Sequence, residues 1–347
     1  MKEKEALDKV INKGRVHFYK PFQIAETLRK ARLGELKDLE DLESYRNTSK
    51  KWRNDVSMLL VGRISTSSAR YQDDVFNDSA MPPILLKRLG EHNDESGIVE
   101  AYIYLKFKEK LGKLGEVRDY LFSASTQSFS FDHFVGSFES SPGLKRSVDK
   151  IYEICVYALF STIIRALNLQ ITLKMLNPDK EILSEFSDFL IKVAGIENGS
   201  ECVTVPAKLY RVGVTNAADR GLDMWCNFGP AVQVKHLTLT EELMGDISDT
   251  VSSDKIVIVC KDTEKGVIEI VSDQIGIGDR IQGVVTFSML KSWYQKCLSN
   301  KFHSTLGVNL LEDLKREFNA EFPSFANIDE FINGRGYDKI TLPDEWK

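Results

Sequence analysis

The sequence predicts a mixed α/β fold: a β-sheet flanked by helices, preceded by a mainly helical N-terminal region. Three observations carry this. Residues 1–122 are dominated by charged, helix-like segments, with a break at Met81-Pro82-Pro83. From residue 146 onward the apolar pattern runs helix, three strands, helix, strand, strand, helix, the order of a sheet of mixed direction. Between the two, residues 123–143 are rich in Ser and Phe, contain Pro142-Gly143, and read as a loop or linker. The expected division is a helical region over 1–143 and an α/β region over 144–347.

Residues 1–43 read as helices with charged faces. Residues 44–53 are basic with Tyr45 and Trp52 interleaved; they lead through an apolar run, 56–61, into the hydroxyl-rich segment 62–70. Residues 98–122 are helical again. Residues 146–173 read as one long helix whose polar residues, Lys150, Glu153, Tyr157, Ser161, Arg165 and Asn168, recur every three or four positions as a single stripe. A second helix over 180–194 ends at Gly195. Residues 203–214 are β-branched and strand-like. Short strands over 221–225 and 231–239 are separated by Asn227-Phe228-Gly229-Pro230, which predicts a hairpin. Residues 240–249 read as a helix, 256–260 and 267–271 as buried strands, and 287–298 as an amphipathic helix.

The bulk composition narrows the function classes. A chain of 347 residues suits two domains, or one with an appendage, and 42% hydrophobic residues exclude global disorder. Five scattered cysteines without a CxxC pair indicate neither a zinc site nor a disulfide framework, but reduced, buried thiols. The N-terminus is charged, and the most apolar run, 154–164, is too short to span a bilayer, so a cytoplasmic protein is expected. The net charge of −5 does not advertise a nucleic-acid binder. Its distribution does more: residues 1–70 hold 16 Lys and Arg against 10 Asp and Glu, and within 45–70 six basic residues face a single acid.

The segment that carries chemistry runs from Asn216 to His236. Asp223 stands at a strand start, and ten residues later Gln233 begins a Gln-x-Lys on the strand expected to pair with it. Period-2 geometry puts Gln233 and Lys235 on one face. Asp223 offers a carboxylate, Gln233 an amide oxygen and Val234 a backbone carbonyl, an all-oxygen set suited to Mg²⁺. Lys235 can orient a nucleophilic water and stabilise charge on a phosphate. A Gln-x-Lys on a strand is also common as a solvated face; the apolar flanks Ala231, Val232, Val234 and Leu237 favour burial, where Lys needs a partner. Asp219 is a second candidate acid, less favoured because it lies in a polar segment before the strand. Glu153, on the helix stripe, is a candidate accessory acid, or a partner of Lys150 or Arg146.

These residues, with Lys13–Pro21, Ser49–Arg53, Gly62–Ala69, Val99–Tyr104 and Ala218–Leu239, resemble the HaeII family of restriction endonucleases. The resemblance implies a PD-(D/E)xK nuclease core in which Gln233 replaces the usual acid; the motif's proline is absent, since Gly221-Leu222 precede Asp223. It implies Mg²⁺-dependent cleavage of double-stranded DNA at a palindrome with a GCGC core flanked by a purine and a pyrimidine. A palindrome is most simply read by a homodimer. A cognate methyltransferase would act on the same site without touching this protein. The N-terminal region is then the expected recognition region. Its candidate DNA contacts are Arg46, Lys50, Lys51 and Arg53 toward phosphates, with Arg63, Ser65, Thr66, Ser67, Ser68 and Arg70 toward base edges or phosphates. A structure-directed or repair nuclease on the same core, or a DNA-binding protein without activity, remains open at this point; a neighbouring cytosine methyltransferase gene would favour restriction.

Overall fold

The structure, a computed structural model, describes residues 1–64, 75–93, 96–176, 179–197, 199–212, 222–235, 253–262, 266–267, 269–270, 280–322 and 328–346. The expected helix over 240–249 lies outside them. The chain forms two compact units, whose described parts lie within residues 1–154 with 314–346 in one and 155–212 with 222–313 in the other.

The first unit is helical: α1 (Lys2–Lys13), α2 (Tyr19–Arg32), α3 (Leu42–Tyr45), α4 (Thr48–Val61), α5 (Pro83–Asn93), α6 (Ile98–Ser123) and α7 (Phe131–Ser140). Its core is aromatic. Phe18, Phe22 and Phe107 meet at ring separations of 4.7–5.7 Å, and Tyr104 stacks on Phe22. Tyr337 and Trp346, from the far end of the chain, are buried in the same core. The basic segment 44–53 runs from the end of α3 into α4. The linker expected over 123–143 is corrected as well, because it contains α7. Phe131, Phe134, Val135 and Phe138 sit at helical spacing and are all buried, and Ser130 caps the helix by accepting from the His133 N–H at 3.3 Å. Phe134 and Phe138 pack against Phe318, and Phe138 against Phe322.

α8 (Val148–Ala166) ends earlier than the expected helix. Asn168 takes a left-handed backbone conformation, and the alternating Gln170-Ile171-Thr172-Leu173-Lys174 that follows is a strand, β1 (Gln170–Lys174). The helix over 180–194 is segmented into α9 (Lys180–Glu185), α10 (Ser187–Phe189) and a wider turn, Leu190–Ala194, closed by Gly195 in the left-handed region. The single strand expected over 203–214 is two: β2 (Cys202–Pro206), antiparallel to β1, and β3 (Leu209–Arg211), which joins a different sheet. Past Pro206 the β1–β2 ladder closes on the Ala207 N–H, which donates to the Leu169 carbonyl at 2.8 Å.

The larger sheet has the order β3-β4-β5-β6-β7, with β4 (Met224–Cys226), β5 (Ala231–Val234), β6 (Ile256–Cys260) and β7 (Ile281–Thr286). β3, β4 and β5 are antiparallel neighbours, while β5, β6 and β7 run parallel. This is the mixed sheet the pattern predicted, with one substitution. Residues 266, 267, 269 and 270 are helical, and Val267 and Ile270 are exposed, so the apolar run there is no buried strand; β7 takes the edge instead. Thr286 caps α11 (Phe287–Leu298) by accepting from the Met289 N–H. The Tyr294 hydroxyl of α11 donates to the Cys155 carbonyl of α8 at 2.9 Å. Four of the cysteines are buried and Cys202 is exposed; burial pushes the Cys155 thiol up to about 12 and Cys226 up to about 11. Among the described residues no helix is long and apolar enough to cross a membrane.

Candidate active site

The hairpin forms as the turn chemistry requires. Gly229 adopts a positive φ of 119°, the Cys226 N–H donates to the Pro230 carbonyl at 2.8 Å, and the Asn227 side chain ties the turn to the Lys208 N–H and the Pro206 carbonyl. Met224 pairs with Val232 and Trp225 with Ala231. Continued by one step, this register sets Asp223 opposite Gln233, and residues directly opposite share a face. On its other side Asp223 is tied to the end of β3, since the Val212 N–H donates to the Asp223 carbonyl at 2.9 Å.

At the end of the hairpin the Val234 N–H donates to Asp223 Oδ2 at 2.8 Å. The hydrogen bond holds the carboxylate against the strand that carries the Gln-x-Lys. The Ala231 and Lys235 N–H groups donate instead to Lys255 and Val259, along β6. Strand alternation therefore turns the Val234 N–H and carbonyl toward Asp223. Gln233 is fully buried, and among the described residues no hydrogen bond is donated to its Oε1 atom. Lys235 follows half-buried, on the Gln233 side of the strand. Asp223, Gln233, Val234 and Lys235 are thus gathered at one strand end, by a short turn on one side and a parallel buried strand on the other. Asp219 and His236 lie outside the described residues. Among the described residues no cluster of three or more His, Cys, Asp or Glu is placed to hold a metal; the acid they bring to this strand end is Asp223.

Glu153 is buried on α8, and Lys150 Nζ reaches its two carboxylate oxygens at 2.8 and 2.7 Å. Further along the same stripe, Thr162 and Arg165 both bond Asp313. The candidate DNA contacts separate by environment. Lys51 is exposed and Lys50 half-buried on α4, neither held in an ion pair among the described residues. Arg46 pairs with Glu43 at 2.7 Å. Arg53 is buried and donates to Asn54 Oδ1 at 3.1 and 3.0 Å. Arg63 donates to the Ala320 carbonyl. Ser65, Thr66, Ser67, Ser68 and Arg70 lie outside the described residues.

Sequence reasoning left the neighbours of Arg63 unassigned. The Tyr19 hydroxyl donates to the Ile64 carbonyl at 3.3 Å, and His17 stacks on Tyr19 with ring centroids 5.5 Å apart. Burial, with the Arg63 and Arg15 guanidiniums beside it, pushes His17 down to about 4. The available signal was four cationic or imidazole side chains, Lys13, Arg15, His17 and Lys20, within eight residues.

The HaeII restriction endonuclease family model matches residues 3–337. The chain is 47% identical over 339 residues to the Type II restriction enzyme HaeII of Haemophilus aegyptius, covering 97% of this chain and 96% of that one. It is 46% identical over 339 residues to the Type II restriction enzyme NgoBI of Neisseria gonorrhoeae, covering 96% of each. No solved structure matches. With a family model spanning nearly its whole length and relatives at this identity, the chain belongs to the HaeII restriction endonuclease family.

Proposed function

We propose that this restriction endonuclease uses Mg²⁺ to hydrolyse phosphodiester bonds in double-stranded DNA at a purine-GCGC-pyrimidine palindrome, acting as a homodimer with a PD-(D/E)xK core. The observation that carries the active-site reading is the Val234 N–H to Asp223 Oδ2 hydrogen bond, which joins the acid to the Gln-x-Lys strand.

The donor set fits Mg²⁺. It offers hard oxygen atoms only, from Asp223, Gln233 and the Val234 carbonyl, and such sites use one or two carboxylates with water and substrate oxygens for the rest. When bound, Mg²⁺ lowers the pKa of a coordinated water and offsets charge developing on the phosphate. The chain's own groups do the positioning. Val234 fixes the Asp223 carboxylate, burial fixes Gln233, and the Lys235 ammonium supplies a positive charge for the scissile phosphate and a donor for the attacking water. Glu153 serves as an accessory acid only if it leaves Lys150.

The test is plasmid cleavage followed by sequencing of the fragment ends. Cutting is expected with Mg²⁺, at a GCGC core, and lost in EDTA; in Ca²⁺ the DNA should be bound but not cut. Efficient cutting in EDTA would falsify the metal reading, and ends scattered without a common core would remove the specificity.

Recognition is assigned to the first unit's basic surface, Arg46, Lys50 and Lys51 on phosphates and Arg63 with the 65–70 segment nearer the bases. Because Arg53 is buried, its replacement should act on stability, whereas Lys50→Ala with Lys51→Ala should weaken binding to every sequence. The slope of log affinity against log salt should fall by about 2, since each lysine that neutralises a phosphate accounts for about one unit of it. An unchanged slope would place both lysines away from DNA.

A further inference from the structure

The stretch 167–205 does not build a core of its own. Ten of its large apolar side chains are exposed, from 42% at Leu169 and Val205 to 89% at Leu176, and only Ile196 within it is buried among the described residues. The pattern is ordered. In the β1–β2 ribbon Ile171 pairs with Val205 and Leu173 with Val203, so Leu169, Ile171, Leu173, Val203 and Val205 share one face while Thr172 and Thr204 bond each other on the other. In the helical part Ile182, Phe186, Phe189 and Val193 follow at steps of four, three and four, and are 59%, 57%, 53% and 69% exposed. This is the spacing of a buried helix stripe, yet it faces solvent. Between ribbon and helices lies a recess of about 240 Å³ lined by Met175, Leu183, Leu190 and Ile196.

An isolated two-stranded ribbon is marginally stable in water, and an apolar patch of this extent marks an interface. We infer that the 167–205 arm is the face through which two copies of this chain dimerise, its ribbon and helix stripe covered by the same arm of the second copy. This deepens the homodimer in the proposed function and rests on that reading for its use of DNA.

Three observations select the second copy. Aromatic side chains carry roughly 150–250 Å² each and aliphatic ones somewhat less; ten large apolar side chains about half exposed present on the order of 1,000 Å², and a standard interface buries about 800 Å² per partner. The charge excludes a polyanion: the arm holds Lys174, Lys180 and Lys192 against six acids. Mixed signs on one patch suit a two-fold contact, in which the patch must complement itself. In addition, each ribbon strand keeps one edge outside its sheet, and antiparallel pairing of two such edges across a two-fold would make a four-stranded sheet.

The test uses the whole protein without DNA. Sedimentation across micromolar concentrations should show a dimer. Leu176→Asp with Val193→Asp, at two strongly exposed positions, should weaken it at least about a hundredfold. Leu59→Asp, on a comparably exposed leucine of α4, should leave it unchanged. A second measurement puts a thiol on the apolar face itself: Leu173→Cys, with the exposed Cys202 changed to Ser, should react with a maleimide more slowly as protein concentration rises. A wild type that is monomeric throughout, a paired variant that dimerises normally, or Leu173→Cys labelling independent of concentration would each overturn the inference. Protection of Leu173→Cys that appears only on adding DNA would also overturn it and give the face to DNA. A monomer that still cuts at GCGC would locate the failure in this assembly rather than in the nuclease reading.

Discussion

Asp223→Ala and Lys235→Ala should each lower the cleavage rate by about a thousandfold or more while the protein still folds and binds DNA. The size follows from the chemistry: a metal site supplies several kcal/mol of charge stabilisation in the transition state, and every 1.36 kcal/mol is a factor of ten in rate. The selectivity follows from position. Both residues stand at the open end of the β4–β5 hairpin, apart from the cross-strand pairs Met224–Val232 and Trp225–Ala231 that hold the strands together. Single-turnover rates, with binding measured separately in Ca²⁺, divide the loss between chemistry and affinity. Gln233→Glu should retain cleavage, since it puts a carboxylate where the amide oxygen stands. If Asp219→Ala is inactive and Asp223→Ala cuts normally, the acid has been misassigned.

The second large effect is on stability, at Glu100. Its carboxylate is wholly buried and accepts from Arg32 Nε at 2.8 Å and Nη2 at 2.9 Å, from Asn93 Nδ2 at 2.7 Å and from the Tyr337 hydroxyl at 2.5 Å. Asn93 Oδ1 in turn accepts the Val99 and Glu100 N–H groups, both at 3.1 Å, and so satisfies the start of α6. One carboxylate thereby joins α2, α5, α6 and the C-terminal segment. Glu100→Ala strands a guanidinium, an amide and a phenol at once, and removing one side of a buried ion pair costs about 3–5 kcal/mol. Glu100→Gln keeps an acceptor and should cost clearly less. Urea unfolding measures both, and a loss below about 1 kcal/mol for Glu100→Ala would show that the network relaxes or hydrates instead of breaking.

How much was legible from the chain differs by element. The hairpin, β6 and α11 were readable because their signals are local: a Gly-Pro turn, a short apolar run, an amphipathic period. The apolar runs around 167–173 and 267–271 were not, since a few consecutive aliphatic residues suit helix and strand alike. What separated them was a left-handed Asn168 and a partner strand in the first case, and exposure in the second. Arg53 shows the same limit in the functional residues. Lys50, Lys51 and Arg53 are equivalent as charges in a sequence, yet Arg53 points inward to Asn54.

The sequence by itself determined the family, because long shared segments need no distant contact, and it offered the acid ten residues before a Gln-x-Lys as the proposed centre, because a local turn needs none either. Tertiary structure alone decided the rest. It put the Val234 N–H on the Asp223 carboxylate, packed Tyr337 and Trp346 into the N-terminal core, and left the 167–205 arm with its apolar faces uncovered. Each depends on which distant surfaces meet, and burial is a property of the folded pair of surfaces, not of either segment's composition.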